Sequence, residues 1–255
     1  MAFIGRVAVV TGAGSGIGRA AAQKFAERGA RVVAVDLDEL ALSWAAGRAD
    51  VVALTGDVSD PETNVAMVDT AVRRFGRLDV LVLNAGLPAQ GTIDGLPLEV
   101  FERVLDVNLR GCVMGLRAAL PALRAAGRGS VVMTASVSGL GGDPGLWAYN
   151  TAKGAVVNFV RAASLELARE NIRVNCVCPG PIRTGMTEPL IAAVPEVYEA
   201  LRSHIPMQRW GEASEVAEAI LFLASDAASF ITGAILPVDG GVTANSGQVA
   251  PPPKA

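Results

Sequence analysis

The sequence has little cysteine, few aromatic residues and little net charge. Its 255 residues include three cysteines, and aromatic residues make up 5%. Cys176-Val177-Cys178 lacks the two-residue gap of redox or zinc motifs, so we expect reduced core thiols and no metal site. A net charge of −3 gives no electrostatic basis for binding nucleic acid or an anionic membrane. The expected partner is a small neutral molecule.

We also expect neither a leader nor a membrane-spanning segment. The chain runs from Met1 into Arg6-Val7-Ala8-Val9-Val10 without a basic region or a cleavage site, and no apolar run reaches about 18 residues. These absences predict a soluble, cytoplasmic protein. Because 51% of the residues are hydrophobic and only 18% are charged, the chain is not disordered, and its length suits one α/β domain without disulfides.

Short runs rich in β-branched residues alternate with longer segments of helical period. The predicted strands are 7–10, 31–35, 51–54, 80–83, 130–133, 172–177 and 234–238. The predicted helices are 17–28, 62–75, 98–126, 148–169 and 214–224. Strict alternation predicts a seven-stranded parallel sheet with right-handed crossovers and helices on both faces. We therefore predict one doubly wound α/β domain over residues 1–242.

Two segments depart from this alternation. Residues 186–206 lie between the sixth predicted strand and the last predicted helix, and they are rich in alanine, proline and large apolar residues. A long excursion at this place predicts a substrate lid. Residues 243–255 contain Pro251-Pro252-Pro253 and few anchoring side chains, which predicts a mobile C-terminal tail.

A glycine-rich turn follows the first predicted strand and opens the first helix. Thr11-Gly12-Ala13-Gly14-Ser15-Gly16-Ile17-Gly18 lets backbone N–H groups approach a pyrophosphate at a helix N-terminus. Asp36 ends the second strand, where a carboxylate can bind an adenosine ribose diol and repel a 2′-phosphate. Neither Ser15 nor Leu37 supplies a compensating cation, so the pattern favours NAD over NADP. The alternatives are an ordinary turn and an aspartate that caps the next helix.

Polar residues also follow the third and fourth predicted strands. Asp57-Val58 comes after the third strand, and Asn84-Ala85-Gly86 comes after the fourth. Ligands gather at the carboxyl ends of strands in such sheets, so we expect both segments to contact the cofactor, with Asp57 at the adenine amino group. Ordinary turn chemistry is the alternative for each segment.

Lysine and tyrosine are scarce, which makes one pair of these residues informative. Only three of the 22 basic residues are lysine (Lys24, Lys153 and Lys254), and Tyr149 and Tyr198 are the two tyrosines. A Tyr-x-x-x-Lys pair such as Tyr149–Lys153 should arise by chance only about 0.02 times at this composition. Positions i and i+4 share one helix face, and an ammonium beside a phenol favours the phenolate.

Together these residues resemble the short-chain dehydrogenase/reductase family from about Phe3 to Val242. The matching elements, in the family's order, are Thr11-Gly12-x-x-x-Gly16-x-Gly18, Asp36, Asp57, Asn84-Ala85-Gly86, Asn108, Ser136, Tyr149-x-x-x-Lys153 and Pro179-Gly180. The resemblance implies a single Rossmann-type domain, usually in a tetramer or dimer. It also implies reversible hydride transfer between a nicotinamide and an alcohol or carbonyl. Two positions differ, because Leu83 replaces the first Asn of Asn-Asn-Ala-Gly, and Pro181 follows Gly180.

The resemblance also implies a role for each matching residue. Tyr149 resembles the catalytic base, Lys153 the partner of the nicotinamide ribose, and Ser136 the donor to the substrate oxygen, with Ser138 as a nearby competitor. Asn108 resembles the residue that holds a water behind Lys153. The expected cofactor contacts are Gly12, Ser15, Gly16, Ile17, Gly18, Asp36, Asp57, Val58, Asn84, Ala85, Gly86, Tyr149, Lys153, Pro179, Gly180, Ile182 and Thr184. The expected substrate pocket is Leu87, Leu140, Trp147, Met186, Ile191 and Tyr198, a mostly apolar set.

Three functional hypotheses follow from these residues. The leading one is an NAD(H)-dependent oxidoreductase that interconverts an apolar or aromatic secondary alcohol and its ketone. The second is a 3-oxoacyl-[acyl-carrier-protein] reductase, which wants NADPH and a basic surface, whereas Asp36 and a pI of about 5.3 count against it. The third is a non-catalytic NAD-binding regulator, which the intact Ser136, Tyr149 and Lys153 argue against.

Overall fold

Seven parallel strands form the central sheet of the protein. The structure is a computed structural model that describes residues 2–185, 187–188 and 194–245. The strands are β1 (Val7–Thr11), β2 (Arg31–Asp36), β3 (Val51–Thr55), β4 (Val80–Leu83), β5 (Gly129–Thr134), β6 (Ile172–Pro179), β7 (Ile182–Arg183), β8 (Gly211–Glu212) and β9 (Ile235–Val238). The main sheet has the order β3-β2-β1-β4-β5-β6-β9, and β7 pairs with β8 in a separate small sheet. The predicted seven-stranded parallel sheet is confirmed.

Helices connect successive strands. They are α1 (Gly16–Glu27), α2 (Pro61–Phe75), α3 (Leu98–Leu105), α4 (Gly111–Ala125), α5 (Trp147–Leu167), α6 (Pro195–His204) and α7 (Ala213–Ala224). Local signals set their ends, as α2 illustrates. Asp60 accepts a hydrogen bond from the Glu62 N–H, Pro61 occupies the first turn, and Gly76 ends the helix at φ 84°.

The core lies on both faces of the sheet. Val7 and Val9 of β1 face one cluster, to which α2, α4 and α5 contribute, whereas Ala8 and Val10 face a second cluster with α1 and α7. Alternate residues of one strand therefore pack against different helices, as a doubly covered parallel sheet requires. This arrangement confirms the predicted doubly wound α/β fold.

The segment 98–126 differs from its prediction as one continuous helix. A π-helical turn, Asp106–Arg110, separates α3 from α4. Within it, the buried carboxamide of Asn108 accepts a hydrogen bond from the Leu87 N–H at 2.8 Å and donates to the Leu87 carbonyl at 2.9 Å. Such turns insert one residue into a helix and often occur at functional sites. The prediction was wrong because this pairing depends on a loop 21 residues away.

Several other predictions can be compared with the described residues. The three cysteines are buried free thiols, as expected. Of the predicted lid, α6 is described, whereas Met186 and residues 189–193 lie outside the described residues, as do residues 246–255 of the predicted tail. Within the described ranges, no helix combines the length and hydrophobicity needed to cross a bilayer.

Candidate active site at the carboxyl edge of the sheet

A cavity of about 570 Å³ opens where the central strands end. It lies at the point where the chain reverses its strand order between β1 and β4, which is the usual ligand crevice of such sheets. All the predicted cofactor contacts except Gly18 line the cavity, and so do Ser136 and Leu87. Asn108 is fully buried and is not among the lining residues.

The glycine loop leaves no room for side chains on its inner surface. A Cβ on Gly18 would lie 2.0 Å from the Gly12 carbonyl oxygen, and one on Gly12 would lie 2.9 Å from Asn84 Nδ2. Gly18 therefore acts behind the cavity wall by allowing α1 to approach the loop closely. No side chain caps the N-terminus of α1 at Ser15, and Ser15, Gly16 and Ile17 line the cavity. Uncapped helix N–H groups beside a bare backbone fit a pyrophosphate.

Asp36 connects the end of β2 to the glycine loop. Its carboxylate accepts hydrogen bonds from the Gly14 N–H at 2.8 Å and the Asp38 N–H at 3.1 Å. The neighbouring Asp38 accepts from the Leu40 N–H at 2.9 Å, at the start of the 3₁₀ helix Leu40–Ala45. Asp38 therefore caps that helix. Asp36, which lines the cavity, can still accept hydrogen bonds from a ligand.

Asp57 lies in a hydrogen-bonded group at the same edge of the sheet. It accepts from the Ser59 N–H at 2.9 Å, the Ser59 hydroxyl at 2.7 Å and the Arg103 guanidinium at 2.6 Å. Burial raises the pKa of Asp57, but the hydrogen bonds from Ser59 and Arg103 outweigh this effect and leave the pKa below its usual value. Both Asp57 and Arg103 line the cavity as a neutralised pair.

Asn84 joins the glycine loop to β5. Its Nδ2 donates to the Thr11 carbonyl at 3.1 Å, and its Oδ1 accepts from the Thr134 hydroxyl at 3.0 Å. The unusual Leu83 beside it is 3% exposed and packs in the core, where a Cβ on Gly115 would lie 2.7 Å from it. Leu83 therefore replaces a polar residue with apolar packing and leaves the Asn84 contacts in place.

Tyr149 and Lys153 project from the first two turns of α5 into the cavity. Lys153 is 3% exposed, and its Nζ donates to the Thr134 carbonyl at 2.8 Å. Nζ lies 5.7 Å from the centre of the Tyr149 ring. An ammonium carries three donors, so the remaining two can serve a ligand in the cavity. The pair thus combines a phenol with a fixed positive charge one helical turn away.

Ser136 follows β5 on the same wall. It caps the 3₁₀ turn Val137–Gly139, and its Oγ accepts a hydrogen bond from the Ser138 N–H at 3.1 Å. This contact occupies a lone pair and leaves the hydroxyl proton available to an oxygen in the cavity. Ser138 also lines the cavity, but it has no comparable orienting contact in the described structure.

Asn108 holds the backbone beside Lys153 and makes no direct contact with the ammonium. A Cβ on Gly86 would lie 2.9 Å from Asn108 Oδ1 and 3.3 Å from Lys153 Nζ, so both groups lie close to Gly86. The Cys112 thiol donates to the Asn108 carbonyl at 3.3 Å, and burial raises the pKa of Cys112 to about 11. The thiol therefore stays protonated as a donor.

The predicted substrate pocket is only partly assembled by the structure. Leu87 lines the cavity, whereas Leu140, Trp147 and Tyr198 are not among its lining residues, and Met186 and Ile191 lie outside the described residues. Trp147 packs against Phe101 at 5.1 Å and donates to the Thr92 carbonyl. Tyr198 stacks on Trp210 at 5.1 Å. The position of Trp147 and Tyr198 in the sequence did not predict which side chains their rings would pack against.

Sequence reasoning missed several lining residues of the cavity. Among them are Asp143, Leu146, Leu201 and Trp210. Leu201 lies within the predicted lid, and Asp143 and Leu146 immediately precede the helix that carries Tyr149. Their closeness in sequence to these segments was the one signal that could have marked them as lining residues. Trp210 is 3% exposed, and its indole N–H has no hydrogen-bond partner in the described part of the chain.

Comparisons with known proteins agree with this geometry. A family model described as enoyl-(acyl carrier protein) reductase matches residues 12–243. Meso-2,3-butanediol dehydrogenase of Serratia marcescens is 42% identical, covering 97% of this chain and 98% of that protein. Cis-4-hydroxycyclohexanecarboxylate dehydrogenase of Sinomonas cyclohexanicum is 43% identical, covering 95% and 98%. A 3-oxoacyl-[acyl-carrier-protein] reductase of Thermotoga maritima is 38% identical, covering 95% and 99%.

A solved structure extends the similarity to three dimensions. The crystal structure of levodione reductase superposes with a TM-score of 0.89 at 37% identity, covering 95% of this chain and 99% of that one. The family match spans nearly the whole described fold, and the relatives named above are dehydrogenases or reductases of similar length. The chain belongs to the short-chain dehydrogenase/reductase family and is an oxidoreductase that interconverts a secondary alcohol and a ketone.

Proposed function

We propose that the protein carries out this reaction with NAD(H), using Tyr149 as base and acid. The observation that carries the proposal is the shared cavity, which is lined by Tyr149, Lys153 and Ser136 and also by the glycine loop and Asp36. A nicotinamide dinucleotide bound there supplies the hydride acceptor or donor. The residues fit such a group, because the loop exposes backbone N–H groups and excludes side chains.

Asp36 and its surroundings support NAD over NADP. Its carboxylate at the cavity wall can accept hydrogen bonds from a ribose diol, and a 2′-phosphate would meet its negative charge. The basic side chains among the described lining residues are Arg103 and Lys153. Arg103 is paired with Asp57, and Lys153 is buried beside Thr134, so neither offers a free cation next to Asp36.

Ser136, Tyr149 and Lys153 each have a separate role in oxidation of the alcohol. Ser136 donates its hydroxyl proton in a hydrogen bond to the substrate oxygen and thereby orients it. Tyr149 accepts the proton of the substrate hydroxyl at its phenolic oxygen, while the ammonium of Lys153 stabilises the phenolate. In the reductive direction Tyr149 returns that proton to the forming hydroxyl. Lys153 would also hold the nicotinamide ribose through the two donors that its bond to Thr134 leaves available.

Hydrogen bonds from neighbouring residues orient these groups. Thr134 holds Lys153 through its carbonyl and Asn84 through its hydroxyl. We assign Asn108 a positioning role, because its carboxamide fixes the Leu87 backbone beside Gly86 and Lys153. Of the proposed lid, residues 186–206, Leu201 of α6 lines the cavity, which supports a role of α6 in covering the substrate.

The second hypothesis, a 3-oxoacyl-[acyl-carrier-protein] reductase, finds less support in the site. It needs a site for NADPH and a basic surface for an acidic carrier, whereas the acidic Asp36 lines the cavity and the chain carries a net charge of −3. We further propose a cytoplasmic homotetramer or dimer. Three buried free thiols suit a reducing compartment, and Phe230 and Leu165 are exposed apolar side chains that an interface would cover.

Exchange of Asp36 tests the choice of cofactor. Asp36→Asn keeps one oxygen for the Gly14 N–H but removes the charge, so the preference for NAD over NADP should fall about tenfold, the value of one charged hydrogen bond. The ratio of kcat/KM with NAD and NADP measures this effect. Asp38→Asn is the matched control, because it removes a neighbouring carboxylate that caps a helix. Equal preferences in Asp36→Asn and the unchanged protein would contradict the assignment.

Removal of the Tyr149 hydroxyl tests the proton transfer. Tyr149→Phe should lower kcat at least about 1,000-fold while NADH affinity stays within a few fold, because the loss is confined to acid–base chemistry. The other tyrosine provides the control, since the Tyr198 hydroxyl accepts from Arg183 outside the cavity wall. Tyr198→Phe should retain most activity. An active Tyr149→Phe enzyme would refute the mechanism.

A further inference from the structure

Asp143 places a carboxylate on the wall of the cavity close to the proposed base. It lies in the loop between Ser138 and α5, and it lines the cavity together with Leu146. Its Oδ2 accepts a hydrogen bond at 3.3 Å from Asn150, the residue next to Tyr149. The Leu146 N–H donates to the Asp143 carbonyl at 3.2 Å, which fixes the turn that leads into the helix. The exposed carboxylate is thus held against the first turn of α5, the helix that carries Tyr149.

No positive side chain offsets this charge within the described wall. Arg103 is bound to Asp57, and Lys153 donates to the Thr134 carbonyl in a buried site. Arg183, which follows the lining residue Ile182, donates to the Tyr198 hydroxyl and lies 4.0 Å from Glu212. The undescribed residues of the predicted lid are Met186, Pro189, Leu190, Ile191, Ala192 and Ala193, and none of them carries charge.

Apolar side chains line the same cavity. They include Leu87, Leu146, Leu201 and Trp210, so the exposed Asp143 carboxylate shares the cavity with hydrophobic surface. Such a site can bury the short hydrocarbon part of a substrate and accept one hydrogen bond from a polar group that the substrate carries. A hydroxyl group can donate that bond, whereas a substrate carboxylate or sulfonate has no proton to donate and would face a like charge.

We propose that Asp143 determines substrate specificity, selecting uncharged secondary alcohols with a second hydroxyl group over anionic hydroxy acids. The inference rests on the proposed function and deepens it by naming the substrate class. The Asp143 carboxylate accepts a hydrogen bond from the second hydroxyl while Ser136 and Tyr149 engage the reacting oxygen. Asp143 thereby positions substrate and takes no part in proton transfer.

Three alcohols of matched size test this assignment. Butane-2,3-diol, butan-2-ol and 3-hydroxybutyrate share the same reacting group and differ in a second hydroxyl, a methyl group or a carboxylate. With the unchanged protein and NAD, kcat/KM should be about tenfold higher for the diol than for butan-2-ol, because a hydrogen bond to a charged acceptor is gained. It should be about fivefold lower for 3-hydroxybutyrate than for butan-2-ol because like charges approach. Absorbance of NADH reports each rate.

Two variants and one control separate charge from hydrogen bonding. Asp143→Asn should raise kcat/KM for 3-hydroxybutyrate about fivefold. Asp143→Ala should lower kcat/KM for butane-2,3-diol to the value for butan-2-ol. The value of kcat/KM for butan-2-ol should change less than twofold in both variants. Asp69→Asn removes an exposed carboxylate on α2 that is not among the lining residues, so it changes net charge equally and should leave all three rates unchanged.

The outcomes distinguish failure of this inference from failure of the proposed function. If butan-2-ol is oxidised but the variants do not alter the relative rates of diol and hydroxy acid, the role of Asp143 is refuted while the proposed function stands. Equal changes in Asp69→Asn would equally refute it, because they would show an effect of net charge alone. Absence of turnover with all three alcohols in the unchanged protein would overturn both.

Discussion

Replacing Lys153 with arginine should impair the protein, although almost all the other basic residues of this chain are arginine. The Lys153 ammonium is enclosed: its Nζ lies 2.8 Å from the Thr134 carbonyl, and a Cβ on Gly86 would lie only 3.3 Å from it. A guanidinium is wider than an ammonium and projects its donors in a fixed plane. Lys153→Arg must therefore displace the Gly86 backbone or lose the Thr134 contact.

The structure sets the size of the expected effect. Overpacking a dense site costs about 1–3 kcal/mol, which lowers Tm by about 3–9 °C for a chain of this length. Because the donors to the ligand also move, kcat/KM should fall at least about 100-fold and NADH affinity about tenfold. Lys24→Arg is the matched control, since Lys24 forms a partly exposed ion pair with Glu218 at 2.7 Å.

Thermal unfolding, NADH binding and steady-state rates of the two variants measure these effects. Lys24→Arg should shift Tm by less than about 1 °C, because partly exposed ion pairs contribute about 0–1 kcal/mol and arginine can replace lysine there. If Lys153→Arg retains activity within threefold and an unchanged Tm, the cavity does not constrain this ammonium. The proposed division of its donors between Thr134 and the ribose would then be refuted.

Two further changes probe the loop and an ion pair. Gly18→Ala places a Cβ 2.0 Å from the Gly12 carbonyl oxygen, so it should destabilise the protein by about 3 kcal/mol and abolish NADH binding. In Gly154→Ala the nearest atom to the new Cβ lies at 3.6 Å, so this control should raise the free energy of unfolding by up to about 1 kcal/mol. Urea unfolding measures both changes. A hydrogen bond from Arg209 lowers the pKa of Glu215 to about 2, so its stabilisation is present above its usual pKa of 4.5 and is lost as pH falls toward 2. Arg209→Met should therefore cost about 1 kcal/mol at pH 7 and progressively less below pH 4.5 in urea unfolding, and a cost independent of pH would contradict this reasoning.

Much of the fold was predictable because its signals are local. Alternating apolar runs and helical periods determine seven strands and their order of connection, and glycines and polar residues at strand ends mark the cavity. Asp36 and Tyr149 were predictable as cavity residues because Asp36 ends β2 and Tyr149 lies in the first turn of α5, two places that face the crevice. These inferences need only the periodicity of one element and the topology of a doubly wound sheet.

The remainder depends on contacts between distant segments. The π-helical turn at Asp106–Arg110 accompanies the pairing of Asn108 with the Leu87 backbone, which no helical period encodes. Trp147 was expected in the substrate pocket, but its ring packs against Phe101, a partner supplied by another helix. Asp143 was overlooked because a single acid in a loop resembles any solvated turn residue.

Thr134 joins two parts of the site that are usually considered separately. Its carbonyl receives the Lys153 ammonium, its hydroxyl binds Asn84, and Asn84 binds the backbone of the glycine turn. Exchanging the dinucleotide specificity of this enzyme by grafting a foreign glycine loop would therefore also move the lysine that supports catalysis. A successful graft must carry Thr134 and Asn84 with the loop, so the unit of redesign extends across three strands.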